Sequence, residues 1–138
     1  MVPFTLELED VLALQDDVMA RLGQRPMPVL GGGLSLLEAA LVRPQQAAFY
    51  SGVDLFQQAT LLAVGVSLAH AFLDGNKRTA TAVMVVFLAQ AGLTVREGVE
   101  MDFAHRLEKA MEASGEGHEI ATHELAIWLK SVCDSIHE

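Results

Sequence analysis

The sequence predicts an all-α fold: a compact bundle of about six helices in one domain spanning residues 1–138. Three observations carry this. Apolar residues recur at three- and four-residue spacing in nearly every segment, while the two-residue alternation of a strand is hard to find anywhere. Glycines and prolines, at Gly23, Gln24 to Gly33, Pro44, Gly92 and Ser114 to Gly117, cut the chain into helix-length pieces. The 138-residue length and 51% apolar content suit one core, with no internal repeat, long linker or low-complexity tract to divide it.

Thr5 is the expected cap of the first helix, whose apolar positions Leu8, Val11, Leu12, Val18, Met19 and Leu22 share a face, with Glu7, Glu9 and Asp10 near its positive N-terminal end. Gly23 stops it. Gln24 to Gly33 contains Pro26, Pro28 and three consecutive glycines, and reads as a loop that reverses the chain. Ser35 and Glu38 stand at capping-box spacing and open a short helix; it should end near Arg43, because Pro44 disfavours helical geometry in the residue before it. Gln45 to Val53 is the least readable stretch, with Phe49 and Tyr50 expected to be partly exposed beside Ser51 and Gly52, and it could be a mobile flap. Asp54 and Gln57 repeat the N-cap and N3 spacing, and Ala59, Leu62, Val66, Ala69 and Leu73 continue a helical stripe to Asp74. The next helix, Asn76 to Ala91, is apolar nearly all round (Ala80, Ala82, Val83, Met84, Val85, Val86, Phe87, Leu88), so it belongs at the centre of the bundle until Gly92 stops it. Two amphipathic helices follow, one carrying Phe103, Leu107, Ala110 and Met111, the other Leu125, Trp128, Leu129 and Val132.

Charge and hydropathy remove several classes of function. Nine Lys and Arg oppose eighteen Asp and Glu, giving a net charge of −9 that repels polyanions, so direct DNA, RNA or anionic-membrane binding is not expected. Any phosphate site must be local. Mean hydropathy is +0.33, yet the uncharged run Thr79 to Val95 is shorter than the roughly 20 residues a membrane span needs. One cysteine, Cys133, allows no intrachain disulfide, and the N-terminus lacks the pattern of a secretory signal. The chain reads as cytoplasmic.

One polar island interrupts the two most apolar helices: His70-Ala71-Phe72-Leu73-Asp74-Gly75-Asn76-Lys77-Arg78-Thr79-Ala80. Gly75 permits a sharp turn, after which the N–H groups of Asn76 to Arg78 lack intrahelical partners at the positive end of a dipole, which is an anion-binding arrangement. Lys77 and Arg78 are repelled by that dipole, so a bound anion is the simplest compensation. Asp74 is the one nearby carboxylate in sequence and falls four residues after His70, on the same side if the helix persists; it could hold Mg²⁺ against phosphates, leaving His70 as the base. Each residue also has a plainer reading. His70 could be a hydrogen-bonded core histidine, Asp74 or Asn76 an N-cap, Gly75 a turn, and Lys77 and Arg78 a solvated face. The combination favours the ligand site. A helix-turn-helix DNA reader is disfavoured by the net charge and by the absence of a polar outward face on the second helix. His105, His118 and His123 lack cysteine partners or a shared-face spacing for zinc, Trp128 extends an apolar stripe, and Cys133 has no activating neighbour.

The string His70-x-Phe72-x-Asp74-Gly75-Asn76-Lys77-Arg78-Thr79 resembles the Fic/Doc signature in its Doc form, that of the death-on-curing toxins. The likeness extends to Leu8-Glu9-Asp10-Val11-Leu12-Ala13-Leu14, to Leu36-Leu37-Glu38-Ala39-Ala40-Leu41-Val42-Arg43-Pro44 and to Asp54-Leu55-Phe56. The resemblance implies an all-helical enzyme that transfers a group from ATP, with Mg²⁺, to a protein hydroxyl. His70, Asp74 and Lys77 would be its catalytic set. Asp74 would support the metal, and Gly75, Asn76, Lys77 and Arg78 would hold phosphates. Fic relatives that transfer AMP usually carry Gly at the position of Lys77 and a second Arg at that of Thr81; both positions here are Doc-like, which implies a kinase moving the γ-phosphate to a translation factor, elongation factor Tu in the family. The alternatives are AMP transfer and a noncatalytic nucleotide- or partner-binding module. Ala71, where many relatives have Pro, departs from the pattern without removing a reacting group. The family's inhibitory helix pattern is only approached by Thr5-Leu6-Glu7-Leu8-Glu9, since Asp10 follows, so the resemblance implies an antitoxin acting in trans.

Overall fold

A computed structural model describes residues 6–26 and 28–136. Six helices lie among them, α1 (Leu8–Arg21), α2 (Gly33–Ser51), α3 (Leu55–Leu68), α4 (Asn76–Gln90), α5 (Glu100–Glu112) and α6 (Gly115–Ser131), with two short strands, β1 (Leu93–Val95) and β2 (Cys133–Ser135). The all-α bundle of six helices is therefore present. Helices α3 and α4 form its middle: α3 packs on α2, α4, α5 and α6, and α4 packs on α1, α3, α5 and β1. Val64 and Val66 of α3 and Val83, Met84 and Leu88 of α4 are almost wholly buried there, joined by Phe103 and Leu107 of α5 and Leu129 of α6.

The cap of α1 is Glu7, whose N–H donates to the Asp10 carboxylate at 2.8 Å; Thr5 lies outside the described residues. Val11, Gln15 and Met19 are its buried face, whereas Leu22 is exposed.

Helix α2 departs most from expectation. It begins at Gly33, behind Gly32 in left-handed geometry, so Ser35 sits exposed inside the helix and the Ser35–Glu38 capping box does not form. Nor does the helix end near Arg43. It runs through Pro44 to Ser51, and most of the segment expected as a flap is its last two turns, with Phe49 and Tyr50 exposed at 81% and 80%. Proline costs about 3 kcal/mol in a helix interior, partly because it cannot donate to the carbonyl four residues back, here that of Ala40. Against that, Leu37, Ala40, Leu41 and Pro44 itself form one buried stripe, and burying a single leucine is worth roughly 1.5–3 kcal/mol. The stripe lies on α3 at close range, where a Cβ built on Gly65 would come 2.9 Å from Ala40 Cβ. Gly52, at φ 65°, ends the helix, its N–H donating to the Ala48 carbonyl.

Helix α3 starts as the sequence requires: Gln57 N–H donates to Asp54 Oδ1 at 2.8 Å, and Asp54 N–H to Gln57 Oε1 at 2.9 Å. It stops at Leu68, short of Asp74, and Leu73 is 72% exposed rather than part of a buried stripe. Helix α4 has the expected bounds to within a residue, and Gly92 follows at φ 85°.

The two strands were hidden from periodicity by their length, three residues each. They pair antiparallel with Leu93 opposite Ser135, and the Arg96 guanidinium spans both oxygens of Asp134 at 3.2 and 3.3 Å. Burial pushes the Cys133 thiol up to about 11, so it is protonated and unreactive at neutral pH. Trp128 packs, as its stripe requires, stacking on Phe103 with Arg106 over its ring at 4.4 Å. Among the described residues no helix is long and apolar enough to cross a membrane.

Gly65→Ala should lower stability by about 1–3 kcal/mol, because its methyl must push apart the closest crossing of α2 and α3. Gly31→Ala, with open space around the new methyl, should leave the urea midpoint nearly unchanged. Equal midpoints for the two variants would deny that this crossing is tightly packed.

Candidate active site

The signature occupies the turn between α3 and α4, and backbone contacts fix its shape. After Leu68, Ala69 caps α3 and His70 takes the left-handed position that follows a helix end, at φ 44°; it is the one non-glycine residue with positive φ among those described. That position is normally glycine's, and a side chain there costs about 1–2 kcal/mol. Ala71 is wholly buried, its carbonyl accepting the Leu30 N–H at 2.7 Å, and Phe72 forms an antiparallel bridge with Val29. The glycines before α2 thus do more than reverse the chain: a Cβ on Gly33 would lie 2.9 Å from Ala71 Cα. Phe72, 2% exposed, anchors the loop in the core as expected.

Asn76 closes the turn. Its Oδ1 accepts the Phe72 N–H at 3.1 Å and its Nδ2 donates to the Phe72 carbonyl at 2.8 Å, so the side chain is spent on the backbone and its own N–H is the donor left over. Gly75, at φ 81°, is the residue from which α4 starts, and a Cβ on it would press on Met19 Sδ at 2.9 Å. Its N–H donates to Asp74 Oδ1 at 2.8 Å. The first intrahelical bond of α4 is Thr79 N–H to the Gly75 carbonyl, which leaves the N–H groups of Asn76, Lys77 and Arg78 ahead of it as donors.

His70 is exposed and not a core histidine, which removes its plainer reading. Because α3 ends before it, His70 and Asp74 do not share a helix face; both are exposed on the same turn instead. Arg78 is exposed and takes part in no ion pair among the described residues. Lys77 behaves differently from expectation. Its Nζ is 2.8 Å from Oε1 of Glu108 on α5, so Asp74 is not the one carboxylate near this end of α4. The hydrogen bond from Lys77, then its charge, hold the Glu108 carboxyl below the usual carboxylate range. The pair's contribution is complete above the ordinary glutamate pKa and disappears as pH falls through the lowered value. Nothing in the sequence marked Glu108: it lies on the polar side of an amphipathic helix, where a glutamate is the default. Thr81 is 7% exposed, with its hydroxyl bonded back to the Lys77 carbonyl at 2.9 Å.

The turn and the first residues of α4 thus carry three backbone donors, two cations, one exposed carboxylate and one exposed imidazole, with Lys77 held by Glu108. Mg²⁺ is compatible with it, since one oxygen of an exposed Asp74 is still open, and this ion usually takes one or two protein carboxylates, with phosphate and water supplying the rest. A cavity of about 200 Å³ near Val53, Gln57, Arg43 and His123 lies at the opposite end of α3 and shares no residue with the turn.

Comparison with known proteins agrees with this picture. The model of the Fic/DOC family matches residues 5–88, well over half the chain and including the whole signature. Toxin Doc of Mycolicibacterium smegmatis is 38% identical over 76 residues, which cover 52% of this chain and 57% of that protein. The matched stretch is therefore less than two thirds of the relative's length.

His70→Gly should be more stable than His70→Ala by about 1 kcal/mol, since glycine alone relieves the left-handed backbone; thermal melts that coincide would mean the strain is absent. For the two cations, Arg78→Ala should raise the melting temperature of ligand-free protein by relieving roughly 0.3–1 kcal/mol of dipole repulsion. Lys77→Ala should leave it nearly unchanged, because the Glu108 pair is lost at the same time.

Proposed function

The chain belongs to the Fic/DOC family, and from that premise we propose that it is an ATP-dependent protein-modifying transferase of Doc type, which moves the γ-phosphate to a hydroxyl of a translation factor. The single observation that supports this best is the start of α4. The first turn of α4 carries three backbone donors together with Lys77 and Arg78, directly after a turn that exposes His70 and Asp74 and is closed by the Asn76 side chain. In an acidic protein such a local concentration of donors suits phosphate.

The chemistry then follows from the side chains. His70 Nε2 or Nδ1 accepts the proton of the acceptor hydroxyl as its oxygen forms a bond to the γ-phosphorus, and the bond from that phosphorus to the β–γ bridging oxygen breaks to release ADP. The α4 N–H groups and Arg78 orient the phosphates, and Lys77 offers charge where it accumulates. Asp74 would hold Mg²⁺, which supplies neutralisation of phosphate charge when bound. Kinase chemistry is favoured over AMP transfer by Lys77 in place of glycine and by Thr81, which is buried and hydrogen-bonded where AMP-transferring relatives carry a second arginine. By resemblance the target is elongation factor Tu, the setting cytoplasmic, and the control an antitoxin in trans.

Incubating the purified protein with a cell extract and ATP labelled at either the γ- or the α-phosphate tests the reading. Label from the γ position on one main protein is the expected result. Label from the α position would make it an AMP transferase, and neither, with nucleotide still bound, a binding module. His70→Ala should reduce transfer by about 10²–10⁴-fold with nucleotide affinity almost intact. Lys77→Gly should cost γ-transfer about 10²-fold through lost positioning. Wild-type transfer in both variants would remove these residues from the mechanism.

A further inference from the structure

At the start of α4 the fold has supplied its own anion. Glu108 reaches across from α5 to within 2.8 Å of Lys77 Nζ, with both side chains a little under half exposed. Lys77 lies within the residues matched by the family model, 5–88, and Glu108 beyond them. We propose that Glu108 is a built-in competitor for the phosphate site: its carboxylate occupies Lys77 in the ligand-free protein, and a phosphate group has to displace it to bind. This rests on the phosphate-binding reading above and adds to it the residue that sets the affinity.

Geometry makes the competition direct. Two acceptors bonded to one ammonium at about 2.8 Å each are at most about 5.6 Å apart. At that distance two unit negative charges repel enough, even with the dielectric of water, to weaken binding roughly three- to fourfold for each unit of phosphate charge at low salt. Lys77 therefore cannot serve both anions without a penalty, and the more highly charged one wins. The competitor is also weak enough to leave. An exposed ion pair is worth at most about a fivefold bias, so a polyphosphate, which gains the free N–H groups of Asn76, Lys77 and Arg78 and the Arg78 guanidinium as well, outbids a single carboxylate. The consequence is a constant handicap: every phosphate ligand must displace the same carboxylate, and one that gains enough other contacts at the start of α4 overcomes it.

Isothermal titration of wild type, Glu108→Gln, Lys77→Ala and the double variant with Mg-ATP and with inorganic tripolyphosphate at low ionic strength decides the matter. Glu108→Gln should bind both probes about three- to tenfold more tightly, with an unchanged melting profile to show that the fold is intact, and the gain should shrink below about twofold in the Lys77→Ala background. Equal or weaker binding by Glu108→Gln, with wild type binding measurably, overturns the competition and leaves the phosphate reading in place. No binding by any of the four proteins strikes the phosphate reading itself and takes the competition with it. A second measurement needs no nucleotide: the rate at which a small acylating reagent modifies Lys77, followed by mass spectrometry, should rise in Glu108→Gln, and an unchanged rate would mean that the pair does not hold Lys77 in solution.

Discussion

The candidate site depends on one backbone contact, the seating of Ala71 and Phe72 against residues 29–33. The Leu30 N–H reaches the Ala71 carbonyl, Val29 bridges Phe72, and Gly33 comes so near Ala71 that no side chain fits between them. This contact holds the turn after α3 in place while His70 sits in an unfavourable left-handed conformation and Asp74 remains in solvent. A turn with exposed His70, Leu73 and Asp74 would otherwise sample many conformations. The buried residues beneath it, Ala71 and Phe72, and the doubly bonded amide of Asn76 supply the order that the exposed residues cannot supply for themselves. Local strain at His70, stabilised by its surroundings, is the arrangement this implies.

Electrostatics at the site is a local exception to the charge of the whole. A chain with net charge −9 keeps polyanions away in general, yet at the start of α4 the helix dipole, three backbone donors and two cations all favour an anion. The ligand-free fold answers that imbalance unequally. Lys77 has a carboxylate within hydrogen-bonding reach and Arg78 has none among the described residues. The two adjacent cations, alike in sequence, are therefore different in energy: one has to give up a partner to meet a ligand, and the other does not.

Pro44 shows how a strong local preference yields to packing. Its effect on the preceding residue and its missing N–H both argue for a helix end, and they are real costs. What offsets these costs is a buried stripe of small and apolar side chains, Leu37, Ala40 and Leu41, that runs up to the proline and includes it, with Ala40 pressed on Gly65 of α3. The same competition decided the other end of that helix. Ser35 and Glu38 have the spacing of a cap, but the cap falls three residues earlier, at Gly32, where Gly33 fits closely under Ala71.

The amino-acid order alone determined the helical bundle, the buried character of α4, the Asp54–Gln57 cap and the location of the signature turn, because each of these is written in spacings of three to eleven neighbouring residues. Only the tertiary structure decided that α3 ends before His70, that the Asn76 side chain bonds to the Phe72 backbone, and that Glu108 meets Lys77. The short strands escaped because three residues are too few to show alternation, and Glu108 because an acid on the polar side of a helix looks like any other. Periodicity records which face of an element is buried. It does not record which side chains from distant elements will meet, because that depends on how the helices cross, and the crossings are set by packing among residues far apart in the chain.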